Sequence, residues 1–321
     1  MRAGRRRARW APLVAVLLAP AACATGSPTP ARSNGSTVTT PTVTTPGVTT
    51  PGATAPAAGG ADPLEPVTVF ELAEPVVRYQ EQVAAGLARL ETQVGALARD
   101  VAAGELDAAR ADWLTAHLTY HRLGAAYGAF GDLGEAVDRL EHGLPGGTAD
   151  PGFTGFHRVE LALWSAGGTA AAGPPTGRLL HDVHALRGQA AALEITPNDF
   201  TVRAHEILED TLQFQLTGRD DYGSGSSLET AQADLDGTRA VVALLRPVVV
   251  SRRPVLAAEV ASALDGVDAA LAAARRAGGG RLPAVTALPP DRRRRVDAAV
   301  DNALEALAPL PGLLAVEDEN D

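Results

Sequence analysis

From Val67 onward the apolar residues of this chain return every three or four positions. Val76, Tyr79, Val83, Leu87, Leu90, Val94, Leu97 and Val101 share one side of a 3.6-residue spiral. A pleated strand, whose faces alternate every second residue, cannot use that spacing. The pattern predicts a first helix ending at Gly104 and a second over 106–130 that carries Trp113, His117, Tyr120 and His121. Residues 131–151 read as loop, with a short helical piece near 136–140. A third helix is expected over 156–165, a Gly/Ala/Pro loop over 167–177 and a fourth helix over 179–193. A fifth, over 199–217, has Pro197 ahead of it, where a missing N–H is tolerated. Residues 218–226 read as a turn, with Ser227 as the N-cap of a sixth helix over 228–250. Two more follow, over 254–276 and 290–307. No stretch alternates with period two. The expectation is therefore an all-α fold over 67–314, built as an antiparallel helical bundle or as two fused bundles.

What precedes that region reads differently. Arg2, Arg5, Arg6, Arg7 and Arg9 lead into an apolar run from Trp10 to Leu18, then Ala19-Pro20-Ala21-Ala22-Cys23. This has the layout of a secretory signal over residues 1–23, too short to span a membrane as a mature helix. Small residues before the only cysteine resemble a bacterial lipoprotein signal, in which Cys23 would be the acylated N-terminus anchoring the protein to a membrane. Ordinary cleavage is the alternative. Residues 24–62 are Thr, Pro, Gly, Ser and Ala, with Thr-Val-Thr-Thr-Pro repeated. They have too little apolar surface to offset chain entropy and are expected to form a disordered tether. The chain carries a net charge of −10 and lacks the basic face that nucleic acid requires.

The chemistry concentrates in Gly155-Phe156-His157-Arg158-Val159-Glu160. Three residues apart on a helix, His157 and Glu160 share a face, so an imidazole nitrogen and a carboxylate oxygen can converge on one cation. The plain alternative is a buried histidine tied to an acid. Further ligands would have to come from other segments. One source is the acidic stripe Asp132, Glu135, Asp138 and Glu141. A second is His205, Glu206, Glu209 and Asp210. A third is His117 and His121, four apart on one face. Each of these also reads as an ordinary solvated or packed face. No HExxH, GxSxG or phosphate-binding glycine loop is present.

The run from Gly155 to Trp164 is similar to the GxHxxE signature, in its GFHRxExxLW form, of the imelysin-like family, in particular its EfeO/EfeM-type iron-uptake branch. Phe130-Gly131-Asp132-Leu133 with Asp138, Ile207-Leu208-Glu209-Asp210, Thr217-Gly218-Arg219-Asp220-Asp221-Tyr222 and Asp236-Gly237-Thr238-Arg239-Ala240 extend the likeness. The resemblance implies an extracytoplasmic, lipid-anchored component of an iron uptake system, all-helical in two bundle-like halves. It would be partnered by an iron permease and a haem peroxidase. By position it places metal-associated residues at His157, Glu160, Asp132, Asp138 and Glu209. Departures at Gly134 and at His121, where a glutamate is usual, make the site softer and less negative, so that zinc or copper competes with iron. Since part of the family is named for proteolysis, a metallopeptidase is the alternative. A cell-surface polymer-binding lipoprotein is a third reading, disfavoured by an aromatic content of 4%.

Overall fold

A computed structural model describes residues 65–316. The leader, Cys23 and the Thr/Pro segment lie outside them.

Helix α1 (Val69–Ala103) begins with a reciprocal cap. The Thr68 backbone N–H donates to Glu71 Oε2 at 3.0 Å. It ends at Gly104, whose φ of 78° is the left-handed cap that glycine adopts without penalty. Its buried stripe is the one that the period marks, Val76 through Val101. Helix α2 (Leu106–His121) turns back along α1. The second helix stops there, earlier than expected. After a short tight turn the chain enters α3 (Tyr127–Asp138), which joins the end of the expected second helix to the helical piece expected near 136–140, with Gly131 bending the backbone (φ 54°, ψ −139°). Helix α4 (Gly155–Trp164) carries the His157 motif.

Residues 167–177 are not a loop. They begin α5 (Gly168–Gly188), which passes through Pro174 and Pro175. Ala172, Thr176 and Leu179 are buried against α1 and α4, and these contacts outweigh the poor helix propensity of the segment. Helix α6 (Pro197–Asp210) starts with the Thr196 side chain accepting from the Asp199 N–H. It runs into a π-turn over Thr211–Gln215, in which the Leu216 N–H reaches Thr211 O at 2.9 Å.

Then follow α7 (Ser227–Arg252), α8 (Pro254–Ala277), α9 (Pro290–Leu307) and α10 (Pro309–Leu314). The residue before α7 is Ser226. Ser227 lies inside the helix, and its hydroxyl donates to Asp220 instead of capping.

The described residues belong to one compact all-α unit. Helix α1 packs on α2, α5 and α7, while α7 also meets α6 and α8, and α8 lies along α9. None of the helices described is long and apolar enough to cross a membrane. The core is aliphatic, with a few large aromatics. Trp113 is fully buried, and its indole N–H donates to Phe156 O at 3.0 Å, which pins α2 to the first turn of α4.

Candidate metal centre

Four side chains from three helices meet beneath this pin. Spacing of four on α2 stacks His117 and His121, with ring centroids 4.5 Å apart. Asp138 closes α3, and His157 sits one turn into α4. Asp138 Oδ1 is 3.6 Å from His117 Nε2 and 3.4 Å from His157 Nε2, and its Oδ2 is 3.7 Å from His121 Nε2. The two α2 histidines approach at Nε2, 3.1 Å apart. One ligand atom from each of His117, Asp138 and His157 lies within 4.8 Å of the other two, which is the geometry a small cation requires.

Gly155 makes this convergence possible. It has a φ of +78°, and a Cβ built there would lie 2.1 Å from the Val137 carbonyl oxygen. The start of α4 therefore rests directly on the backbone that delivers Asp138. The neighbouring Thr154 hydroxyl donates to Ala136 O at 2.9 Å and fixes the same approach.

Glu160 occupies a different position from its partner in the motif. Its Oε1 accepts the N–H groups of Tyr222 and Ser224, each at 3.0 Å, and its Oε2 is 3.7 Å from His157 Nδ1. His157 thus has one carboxylate at each nitrogen, Asp138 at Nε2 and Glu160 at Nδ1. Those nitrogens point apart, so Glu160 stands behind the ring, beyond hydrogen-bond distance, while Nε2 faces the cluster. His121 has a similar support. Its Nδ1 lies 2.8 Å from Asp234 Oδ1, and the Thr211 hydroxyl donates to Asp234 Oδ2 at 3.0 Å.

The burial is nearly complete, and it sets the electrostatics. His117 is pushed down to about 3, by burial first and by the neighbouring His121 charge. Burial also opposes charge on His121, but Asp234 and Asp138 outweigh it and raise the group to about 9. Asp138, despite burial, is held down to about 2 by His157, His117 and His121. His157 is raised because Asp138 and Glu160 outweigh its desolvation, and Glu160 is itself raised by burial. Four buried atoms at the centre lack hydrogen-bond partners: His117 Nδ1, Asp138 Oδ1, His157 Nδ1 and Glu160 Oε2. A buried acceptor facing imidazole nitrogens at 3.4–3.6 Å, beyond hydrogen-bond distance, is the arrangement a cation would draw together.

Two of the expected residues are not brought here. Glu209 lies on the outer side of α6, 54% exposed and 3.5 Å from His205. Its neighbours Ile207 and Leu208 take the inward face, and Asp210, one position on, lines the cavity. Asp132 is exposed just after the Gly131 bend, and of the acidic stripe only Glu135 and Asp138 line the cavity. His117, Asp234 and Asp220 were not in the expected ligand set. His117 had a signal in its spacing from His121 and Asp220 lay in the Thr217–Tyr222 stretch of the resemblance, whereas Asp234 had no signal.

The profile of the Imelysin family, a peptidase family by its label, matches residues 76–310. The chain belongs to the imelysin family. This imelysin is 29% identical over 261 residues to the iron uptake system component EfeO of Yersinia pseudotuberculosis, covering 81% of this chain and 69% of that protein. It is 28% identical over 257 residues to the protein of the same name from Escherichia coli K12, covering 80% of this chain and 68% of that one. The likeness supports a role in iron uptake.

Proposed function

We propose that this imelysin captures an iron ion outside the cytoplasm and holds it for delivery to a membrane permease, with a haem peroxidase in the same uptake system. The observation that carries this reading is the buried, partnerless Oδ1 of half-buried Asp138, faced by the Nε2 atoms of His117 and His157. In this reading His117, Asp138 and His157 hold the ion as cargo, His121 supplies a third nitrogen as the fourth ligand, and Glu160 orients His157. Imidazole with carboxylate suits iron, and also zinc or copper. Peptide hydrolysis would need a free general base beside a metal-bound water. Glu160, the acid of the motif, instead has its Oε1 held by two backbone amides and its Oε2 facing His157 Nδ1, on the side of the ring away from the cluster. That arrangement favours capture over hydrolysis.

Anaerobic titration calorimetry with ferrous iron tests the reading. His157→Ala is expected to weaken binding at least about tenfold, the scale of a lost ligand or its support. His184→Ala, on an exposed residue paired with Glu91, is expected to leave it unchanged. Equal affinity in the wild type and His157→Ala would reduce the motif to a core hydrogen-bond pair.

Delivery to a permease requires the chain to stay near a membrane. We infer that Cys23 is lipidated, from the apolar run and small residues before it. Cys23→Ala is then expected to release the protein into the medium. Intact mass of the membrane-bound wild type, showing a mature N-terminus without acyl chains, would refute the anchor.

A further inference from the structure

The cavity beside the histidines has a second wall that the iron reading does not use. Its volume is about 360 Å³, far more than one ion occupies. The histidine wall comes from α2, α3 and α4. The other comes from the end of α6 (Asp210), the connection between α6 and α7 (Gln215 and Asp220) and α7 (Asp234). Asp220, Asp234 and Gln215 are each 4% exposed.

Gln215 is the telling residue. It is buried, it lines the cavity, and its Oε1 has no hydrogen-bond partner. An amide oxygen in that state is costly unless something positive meets it. The π-turn puts it there. The Leu216 N–H bonds to Thr211 O and the Arg219 N–H to Phe214 O, both five residues back, so the last turn is wider than an α-turn. Such a wide turn re-aims the side chains that follow it and recurs at functional sites. Asp220 is only partly satisfied: Oδ1 accepts the Ser227 hydroxyl at 2.9 Å, which leaves its second oxygen available. Asp234, held by His121 and Thr211, adds negative charge beside them. Arg203, one of two arginines that line the cavity, is already engaged with Gly124 O, Glu206 and Asp210.

We propose that Gln215 and Asp220 form a second cation position in this cavity, separate from the His117–Asp138–His157 cluster. Its donors are oxygens, so it selects a harder cation than the nitrogen-rich cluster does, of the Mn²⁺ or Ca²⁺ class. The imelysin therefore holds two unlike cations side by side, with the hard one facing the α6–α7 connection.

The test loads the full chain with one equivalent of Zn²⁺ to fill the histidine cluster, then titrates Mn²⁺ by calorimetry and by loss of its free electron-spin signal. One further equivalent of Mn²⁺ is expected to bind. Asp220→Asn and Gln215→Leu, both close in shape to the native residues, are each expected to weaken it at least tenfold and to leave the Zn²⁺ equivalent in place. Asp268→Asn on the exposed face of α8 is expected to change neither. No Mn²⁺ binding to the Zn²⁺-loaded chain, or binding unaltered in both cavity variants, overturns the proposal. Should one variant fail to fold, the other decides. Failure of Zn²⁺ to bind, alongside Mn²⁺ binding that Asp220→Asn abolishes, would sink the histidine cluster as an ion site while upholding this one.

Discussion

Gly155→Ala is expected to destroy the metal centre without touching a ligand. The substitution meets two barriers at once. A φ of +78° disfavours any Cβ, at about 1–2 kcal/mol. The new methyl would also stand 2.1 Å from the Val137 carbonyl oxygen, where only backbone movement can make room. Forced overpacking adds about 1–3 kcal/mol. The strand of chain that must move is the one ending in Asp138, so the carboxylate leaves His117 and His157. Urea unfolding is expected to show a loss of about 2–5 kcal/mol, and iron affinity to fall about 100-fold or more, at the upper end of supporting-residue effects. Gly128→Ala, in α3, is the control: nothing lies within 4 Å of its Cβ position, so it should fold and bind normally. A Gly155→Ala protein that binds iron like the wild type would show that the contact between α3 and α4 does not govern the site.

The second large effect is pH. His121 is raised to about 9 in the metal-free fold and so holds a proton at neutral pH that a ligating imidazole must release, and His157 is shifted in the same direction by Asp138 and Glu160. Ferrous-iron affinity is expected to rise about tenfold per pH unit for each proton expelled, hence about 100-fold or more between pH 6 and 8. Calorimetry in two buffers of different ionisation enthalpy counts the protons. A flat profile would exclude these histidines as ligands.

The stability of the metal-free chain follows the same groups in two directions. The folded pKa of His121 lies above its unfolded value of about 6.5. Its contribution is therefore complete below about pH 6.5 and is lost as pH climbs through about 9. For His117 the folded value, about 3, lies below the unfolded one, so the unfolded chain gains the proton more readily and stability drops as pH falls below about 6.5. From these two groups a thermal melting maximum near about pH 6.5 is expected, falling on either side.

The helical period of α1 and the His157–Glu160 spacing were plain in the sequence because both are local. So was the α2 pair, His117 and His121. Three features depended on distant contacts and were not. The small residues of 167–177 became helix only because α1 and α4 cover them. Glu209 was chosen over Asp210, although one residue on a helix is a rotation of about 100° and decides which side chain faces in. The pairing of Glu160 with the amides of Tyr222 and Ser224 joins positions more than 60 residues apart, which no local pattern records. The acid in the motif was legible, while its position behind His157 was not.

The cluster draws its side chains from α2, α3 and α4, segments that adjoin one another only in the finished fold. With one cysteine in 321 residues, this chain cannot close a disulfide within itself. A cation bridging His117 to His157 would serve as the missing cross-link, tying off a loop of 40 residues through coordinate bonds. Unlike a sulfur bridge it opens by ligand exchange, so loading would stiffen the molecule and unloading would relax it, and the mechanical state of the carrier would report whether it is full.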